Sequence, residues 1–174
     1  VVTYTNCDEV KLTLNGQPLE TKKLADTKKL SLRWKVPFNA GVLKAEGFKN
    51  GKIVVTDEVK TAGEPAKIEL IADRKTIKAD GKDSSFITVK ITDENGILVP
   101  GADNLVHFEL EGEGSIAGVG NGNAMSLEPA KGKERRAFSG MCQVIVQSSS
   151  KKGIIKVKAT SPGLSDSEIP LISK

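Results

Sequence analysis

Alternation of apolar and polar residues is the dominant pattern along this chain. Val10, Leu12 and Leu14 alternate with Lys11 and Thr13. Because successive side chains of a strand point to opposite faces, each such segment predicts a strand with one apolar face. Similar segments cover residues 30–36, 53–59, 68–72, 87–91, 106–110, 142–146 and 155–159. No stretch of ten or more residues keeps a helical period, so we expect an all-β fold.

Asn-Gly pairs separate several of these segments, at Asn15-Gly16, Asn50-Gly51 and Asn95-Gly96. Both residue types tolerate a positive φ, which two-residue hairpin turns require. Many short strands at intervals of about 8–12 residues are typical of a β-sandwich.

A break in the strand pattern falls at Thr61-Ala62-Gly63-Glu64-Pro65. Pro65 cannot donate a hydrogen bond to a strand ladder, so a strand is not expected to continue through it. The sequence therefore predicts two tandem immunoglobulin-like β-sandwich domains, residues 1–62 and residues 63–174. The first is small for this fold, and we expect that it lacks a strand preceding Val1.

The chain starts at Val1, inside an expected strand, with no Met and no leader segment. We interpret this start as that of a piece from a longer protein. Apolar residues make up 38% of the 174 residues, which is enough for packed cores. No apolar run reaches the ~20 residues of a membrane helix, so we expect no membrane span.

The net charge of +4 is unevenly distributed. Residues 1–62 hold 11 lysines and arginines against 7 aspartates and glutamates, while the remaining residues hold 15 of each. Lysines often alternate with apolar residues, as in Lys156-Val157-Lys158, which is the pattern of a solvated strand face. A nucleic-acid-binding protein concentrates a stronger basic footprint on one face, so we expect no nucleic-acid partner.

The single histidine and the two cysteines give no catalytic pattern. His107 lies out of phase with its apolar neighbours and should face solvent. Cys142 shares the inward parity of its strand, which indicates a buried free thiol. Cys7 precedes Asp8 and Glu9, whose charges disfavour a thiolate. The two cysteines fall in different predicted domains, so a disulfide between them is disfavoured.

Acidic and glycine-rich segments also favour structural interpretations. Glu109, Glu111 and Glu113 share one parity and indicate a solvated face rather than a glycosidase pair. Residues 93–96 lack the ligand spacing of a calcium loop and predict a hairpin turn. The glycine-rich residues 112–123 have no helix pattern after them, so we interpret them as strands and turns with some glycines at positive φ. We predict no catalytic, cofactor-binding or metal-ligating residue and no cofactor.

Aromatic residues make up only 4% of the chain. Trp34 shares the parity of its apolar neighbours and is predicted to lie in the core. Tyr4 shares parity with Val2, which leaves few aromatic surfaces for stacking on sugars.

Several motifs nevertheless carry a family resemblance. Residues 4–16 read YTNCDEVKLTLNG, and residues 34–38 and 41–47 read WKVPF and GVLKAEG. With residues 56–63, TDEVKTAG, they closely resemble the module that follows the catalytic barrel in family 2 glycoside hydrolases of the bacterial β-galactosidase type. The second domain resembles the invasin-like module placed after it, through residues 77–82, 89–93 and 118–123.

The resemblance implies a non-catalytic C-terminal accessory region of a glycoside hydrolase, supporting or positioning an upstream (β/α)₈ barrel that carries two catalytic glutamates. None of that barrel is present, and no position matches a catalytic motif, so the resemblance gives no catalytic residue. The implied partner is the upstream catalytic domain, with glycan as a further possibility, and the implied location is the periplasm or cell surface of a bacterium. The alternative is an adhesin-like or carbohydrate-binding β-sandwich module.

Overall fold

A computed structural model describes all residues, 1–174. Every regular element is a β-strand except one 3₁₀ turn, Leu24–Asp26. The predicted all-β class is therefore confirmed. The chain divides into two compact units, Val1–Thr61 and Ala62–Lys174. This division falls one residue before the boundary predicted from the glycine and proline signals.

The first unit contains six strands in two antiparallel sheets. One sheet has four strands in the order β3-β2-β5-β6, and the other pairs β1 with β4. The strands are β1 (Val2–Tyr4), β2 (Glu9–Leu14), β3 (Gln17–Lys23), β4 (Ser31–Arg33), β5 (Val42–Lys49) and β6 (Lys52–Lys60).

Two of the predicted Asn-Gly hairpins are confirmed in this unit. Asn15 and Gly16 connect β2 to β3 with φ angles of 52° and 78°. Asn50 and Gly51 connect β5 to β6 with φ angles of 50° and 74°. Two consecutive positive φ angles give the turn the twist that antiparallel strands need.

The core of the first unit is small and follows the predicted parity. Val10, Leu12, Leu32 and Trp34 are buried. The indole N–H of Trp34 donates a hydrogen bond to the Glu20 carbonyl oxygen at 2.7 Å, so its one polar group is satisfied. The prediction that Trp34 belongs to the core is confirmed.

Other parity predictions for the first unit are wrong. Ile53, Val55 and Val59 are more than half exposed, although their pattern predicts a buried face. Val55 and Val59 lie on β6, an outermost strand of the four-stranded sheet, and the short β1-β4 sheet does not extend over them. A register shift between Gly47 and Phe48 of β5 places Ile53 on the opposite face from Val55. Leu30 is 70% exposed because it precedes β4, at the end of that small sheet.

The second unit is a sandwich of a five-stranded and a four-stranded sheet. Their strand orders are β12-β10-β14-β15-β8 and β11-β13-β9-β7, and all pairs are antiparallel except β15 with β8. The strands are β7 (Lys67–Ala72), β8 (Thr76–Ile77), β9 (Ser84–Thr92), β10 (Leu105–Gly112), β11 (Gly114–Gly120), β12 (Glu134–Arg136), β13 (Met141–Ser148), β14 (Gly153–Thr160) and β15 (Ser167–Ser173).

Alternation predicts the core of the second unit well. The apolar members of five predicted strands all face the core, and most of them are completely buried. They are Ile68, Leu70 and Ala72; Ile87, Val89 and Ile91; Val106, Phe108 and Leu110; Cys142, Val144 and Val146; and Ile155, Val157 and Ala159. These residues come from both sheets, so the apolar face of each sheet is covered by the apolar face of the other.

The third Asn-Gly pair differs from the prediction. Gly96 has a φ of 79°, but Asn95 keeps a negative φ. The loop is longer than a two-residue hairpin, since Thr92 pairs with Leu98 in an isolated bridge. Two backbone bonds close this turn, from the Gly96 N–H to the Asp93 carbonyl oxygen at 3.0 Å and from the Asp93 N–H to the Ile97 carbonyl oxygen at 2.9 Å. The Asp93 carboxylate adds bonds from the N–H groups of Asn95 and Ile97.

Candidate functional site

His107 lies on the exposed side of β10, as predicted. Its Nδ1 is 2.9 Å from a carboxylate oxygen of Glu134, which is directly opposite on β12. Both side chains are about half exposed. The pair is a surface cross-strand contact.

Both cysteines are free and buried. Burial raises the pKa of the Cys142 thiol to about 12, so it is uncharged at neutral pH. The interpretation of Cys142 as a buried free thiol is confirmed. Cys7 packs against β5, where a Cβ added to Gly47 would lie 2.8 Å from the Cys7 sulfur. The glycine at position 47 therefore leaves the space that this sulfur occupies.

The acidic residues of β10 belong to a charged outer face. Glu109 and Glu111 are exposed and lie opposite Lys158 and Lys156 of β14. Opposite charges in directly facing positions stabilise an antiparallel pair modestly. Glu113 lies outside the strand, in the turn after it, and accepts a hydrogen bond from the Ser149 hydroxyl at 3.0 Å. The predicted solvated face is confirmed for the first two glutamates, and Glu113 is an exception.

Asp93 is a buried acid, and its carboxylate organises two loops of the second unit. One carboxylate oxygen accepts backbone N–H bonds from Asn95 and Ile97, both at 2.9 Å. The other accepts the Gly63 N–H at 2.8 Å. These donors, with Gly63 the strongest, hold the pKa of Asp93 below its usual range. The turn predicted at residues 93–96 is present, and its acid is satisfied by backbone groups.

Arg135 is a buried cation that sequence alternation does not reveal. It is only 6% exposed, on the three-residue strand β12. Its guanidinium donates to the Glu128 carbonyl oxygen at 3.0 Å and to the Asn121 side-chain oxygen at 3.4 Å. Its Nε lies 3.7 Å from the Glu128 carboxylate. Arg135 thus fixes the loop between β11 and β12 from inside.

The glycine-rich residues 112–123 form β11 and the turns around it. Within them only Gly112 has a positive φ, of 99°, at a close approach to the Ile154 carbonyl oxygen. The residues after β11 lead to strand β12 and not to a helix. The interpretation of this stretch as strands and turns is confirmed.

The side chains that could bind a metal are dispersed. No group of three or more histidines, cysteines, aspartates or glutamates is placed to hold a metal ion. The structure also contains no helix of the length and apolarity needed to cross a bilayer.

The aromatic surface is larger than the sequence predicts. Tyr4 is 83% exposed and Phe38 is 86% exposed, both in the first unit. Tyr4 lies on the outer face of the small sheet, because Thr3 and its partner Leu32 take the inner face. Tyr4 and Val2 share one face as their parity predicts, but that face is exposed, so Tyr4 adds an aromatic surface that the sequence pattern did not indicate.

An open groove runs along the first unit beside β6. It has a volume of about 550 Å³ and is lined by β1 and the following Thr5, by Val10, Ala45 and Gly47, and by Val55–Asp57. We call it the β6 groove. The alternation of apolar and polar residues does not predict this groove, because it identifies residues that share a face but not whether that face is covered.

The charged side chains described above thus stabilise turns, loops and strand faces within the two compact units. Comparison with known proteins agrees with this arrangement. Residues 68–170 match the family model described as glycoside hydrolase family 2 C-terminal domain 5. Residues 1–55 match a model described only as a domain of unknown function, DUF4982. The chain belongs to the C-terminal domain family of family 2 glycoside hydrolases.

Individual proteins that are similar to this chain are also glycosidases. The chain is 46% identical over 161 residues to the β-galactosidase BoGH2A of Bacteroides ovatus, covering 92% of this chain and 19% of that protein. A family 2 glycosyl hydrolase from Bacteroides cellulosilyticus superposes with a TM-score of 0.96 at 39% identity, covering 99% of this chain and 22% of that one. A β-glycosidase from Bacteroides vulgatus gives 0.92 at 34% identity, covering 98% and 22%. The chain spans about a fifth of the length of these relatives.

Proposed function

We propose that this chain is the non-catalytic C-terminal accessory region of a β-galactosidase-type glycoside hydrolase. Its role is to support or position a catalytic barrel that lies elsewhere in the same polypeptide. The observation that carries the proposal is the 46% identity to a β-galactosidase over 92% of this chain. The arrangement of its acids supports the same role, since Glu109 and Glu111 face lysines and Asp93 is bound by backbone N–H groups.

The test compares two proteins made from the same gene. The complete polypeptide and this chain alone are assayed with aryl β-galactoside, β-glucoside and β-glucuronide. We expect turnover of the β-galactoside by the complete polypeptide and none by the chain. Turnover by the purified chain would refute its non-catalytic role, and a complete polypeptide that prefers the glucuronide would refute the galactosidase assignment.

We also propose that the complete protein works in the periplasm or at the cell surface of a bacterium, as the family resemblance implies. Fractionation of the source cells, followed by detection with an antibody against this chain, tests the location. Recovery of the protein in the cytosolic fraction would contradict it.

Glycan binding is the second candidate function, and the exposed rings of Tyr4 and Phe38 favour it. Aromatic rings that are open to solvent can stack on apolar faces of sugars. Isothermal titration of the chain with galactosides tests this role, with the Y4A and F38A variants as comparisons. Trp34 is buried, so its fluorescence would not report such contacts directly. A flat titration would exclude this candidate for the ligands tested.

A further inference from the structure

The inner face of the four-stranded sheet in the first unit is covered at one side and open at the other. Register places Val10, Gly47 and Val55 in one row across β2, β5 and β6. Val10 is 3% exposed at the covered end of this row, whereas Val55 is 53% exposed at the other. The next rows end on β6 at Asp57 and Val59, and Val59 is 64% exposed. The apolar face thus continues beyond the area that the second sheet covers.

The β1-β4 sheet, which covers the other end of this face, stops at a free edge on the side of β6. β1 borders the β6 groove, and its only partner is β4. Val1 and Trp34 exchange two hydrogen bonds, each of 2.9 Å, between their backbone N and O atoms. Because paired and unpaired positions alternate along an antiparallel strand, the backbone groups of Val2 and Tyr4 point away from β4.

Unpaired backbone groups beside an open apolar face are a template for another strand. The present unit has four strands facing two, whereas a constant-type immunoglobulin sandwich has four facing three. A third strand alongside β1 would hydrogen-bond to Val2 and Tyr4 and cover Val55 and Val59. One additional strand would therefore both fill the groove and pair with the free edge of β1.

We propose that the β6 groove is filled by a β-strand from the residues that precede Val1 in the longer polypeptide. This inference rests on the proposed function, which places the chain within a longer protein. The backbone nitrogen of Val1 already pairs with Trp34, so β1 can continue upstream without losing this bond. Strands adjacent in sequence usually pair, and a segment just before β1 can return by a short turn.

The groove also defines the chemistry of this strand. Its inward side chains must be apolar where they face Val55 and Val59. Between those two positions Asp57 shares the open face, and no ion pair or hydrogen bond engages its carboxylate. Because an unpaired buried charge is costly, the strand must present a hydrogen-bond donor or a cation to Asp57.

Cysteine labelling tests whether the groove is covered. The Val55→Cys variant is prepared in this chain alone and in the complete polypeptide, and its reaction with a maleimide is timed. Glu58→Cys is the matched control, since Glu58 lies on the same strand but on its opposite face. We expect the cysteine at position 55 to react roughly 100-fold more slowly in the complete polypeptide, while the control changes little. Cys7 and Cys142 are buried and contribute little background.

Hydrogen exchange on the unmodified proteins tests whether a strand provides the cover. We expect the amides of Val2 and Tyr4 to exchange quickly in this chain and roughly 100-fold more slowly in the complete polypeptide. Equal labelling of position 55 in both proteins would overturn the proposal. Protection of position 55 without protection of these amides would overturn it too, since a surface without strand pairing would then cover the groove.

A second copy of the chain is the remaining occupant to be tested. Sedimentation of the isolated chain at labelling concentrations shows whether it forms a dimer. A dimer in which position 55 is protected would contradict an upstream strand as the occupant of the groove. Glycosidase activity is measured on the same samples. An active complete polypeptide with an unprotected groove refutes this inference alone, whereas an inactive one with a protected groove refutes the proposed activity alone.

Discussion

Two buried charged side chains, Asp93 and Arg135, show how single residues hold the loops of the second unit. Asp93 is bound by backbone N–H groups, whereas Arg135 contacts the Glu128 carbonyl, the Glu128 carboxylate and the Asn121 side chain. Their contributions to stability differ in their dependence on pH, because the Asp93 carboxylate can be neutralised by acid whereas Arg135 stays charged. Each therefore leads to a separate prediction.

Asp93 should make the stability of the second unit depend on pH. Its folded-state pKa is depressed, chiefly by the Gly63 N–H and then by Ile97. The carboxylate thus stabilises the fold above the usual aspartate pKa of about 4, and this contribution is lost as the pH falls through the depressed value. We expect D93N to unfold at lower urea than the unsubstituted chain at pH 7, with a smaller difference at about pH 3.

The control is D103N, since the exposed Asp103 carboxylate accepts no hydrogen bond. It removes the same charge and should shift the urea midpoint little at either pH. An equal loss of stability for D93N at both pH values would contradict the role of the ionised carboxylate.

Arg135 should stabilise the fold through the hydrogen bonds that it donates to nearby polar atoms. The R135M variant keeps most of the side-chain volume but leaves the Glu128 carbonyl and the Asn121 oxygen without this donor. We expect the free energy of unfolding to fall by about 1–3 kcal/mol. Urea titration followed by circular dichroism measures the loss. R136M is the neighbouring control, since Arg136 is exposed and should change stability by no more than about 0.5 kcal/mol.

At the scale of elements, β2 and β6 have similar sequence patterns but different surroundings. Leu12 on β2 is 1% exposed, and Val55 on β6 is 53% exposed. We expect L12A to cost about 2–5 kcal/mol, because it opens a cavity in the small core. V55A should cost no more than about 0.5 kcal/mol in the same chain. Trp34 fluorescence during urea unfolding measures both, and similar losses would mean that β6 is covered in the isolated chain.

This contrast explains how much of the fold the sequence predicts. Parity correctly assigns Val89 and Val144 to the second core, because two full sheets cover each other there. It fails for Val55 and Val59, because alternation identifies a shared face and not the presence of a second layer. It fails for Ile53 because a register shift between β5 and β6 turns this residue to the other face. Whether a second layer packs on that face depends on contacts between residues that are distant in sequence.

The candidate sites show the same limit. The residue types around Asp93 predict a turn, since Asp, Asn and Gly favour that local geometry. The bond from Gly63 joins residues 30 positions apart and has no local signal. Arg135 is missed because a charged residue normally indicates solvent, and its burial depends on a loop that folds over it.

At the scale of the whole molecule, the two units differ in the size of their cores. The first unit has four buried residues in its core cluster, and the second has eighteen. Small domains bury a smaller share of their surface and are less stable, so the first unit should be the weaker one. If the tandem-domain prediction is correct, the units should also unfold separately.

The single tryptophan makes this prediction measurable. Trp34 lies in the first core, and the second unit contains no tryptophan, so its fluorescence reports the first unit alone. Far-ultraviolet circular dichroism reports mainly the second unit, which holds most of the strands. We expect the fluorescence midpoint at lower urea than the main dichroism midpoint, and L12A should move only the former. Coincident transitions that move together in L12A would mean a single cooperative unit, because separate domains respond to a core substitution independently.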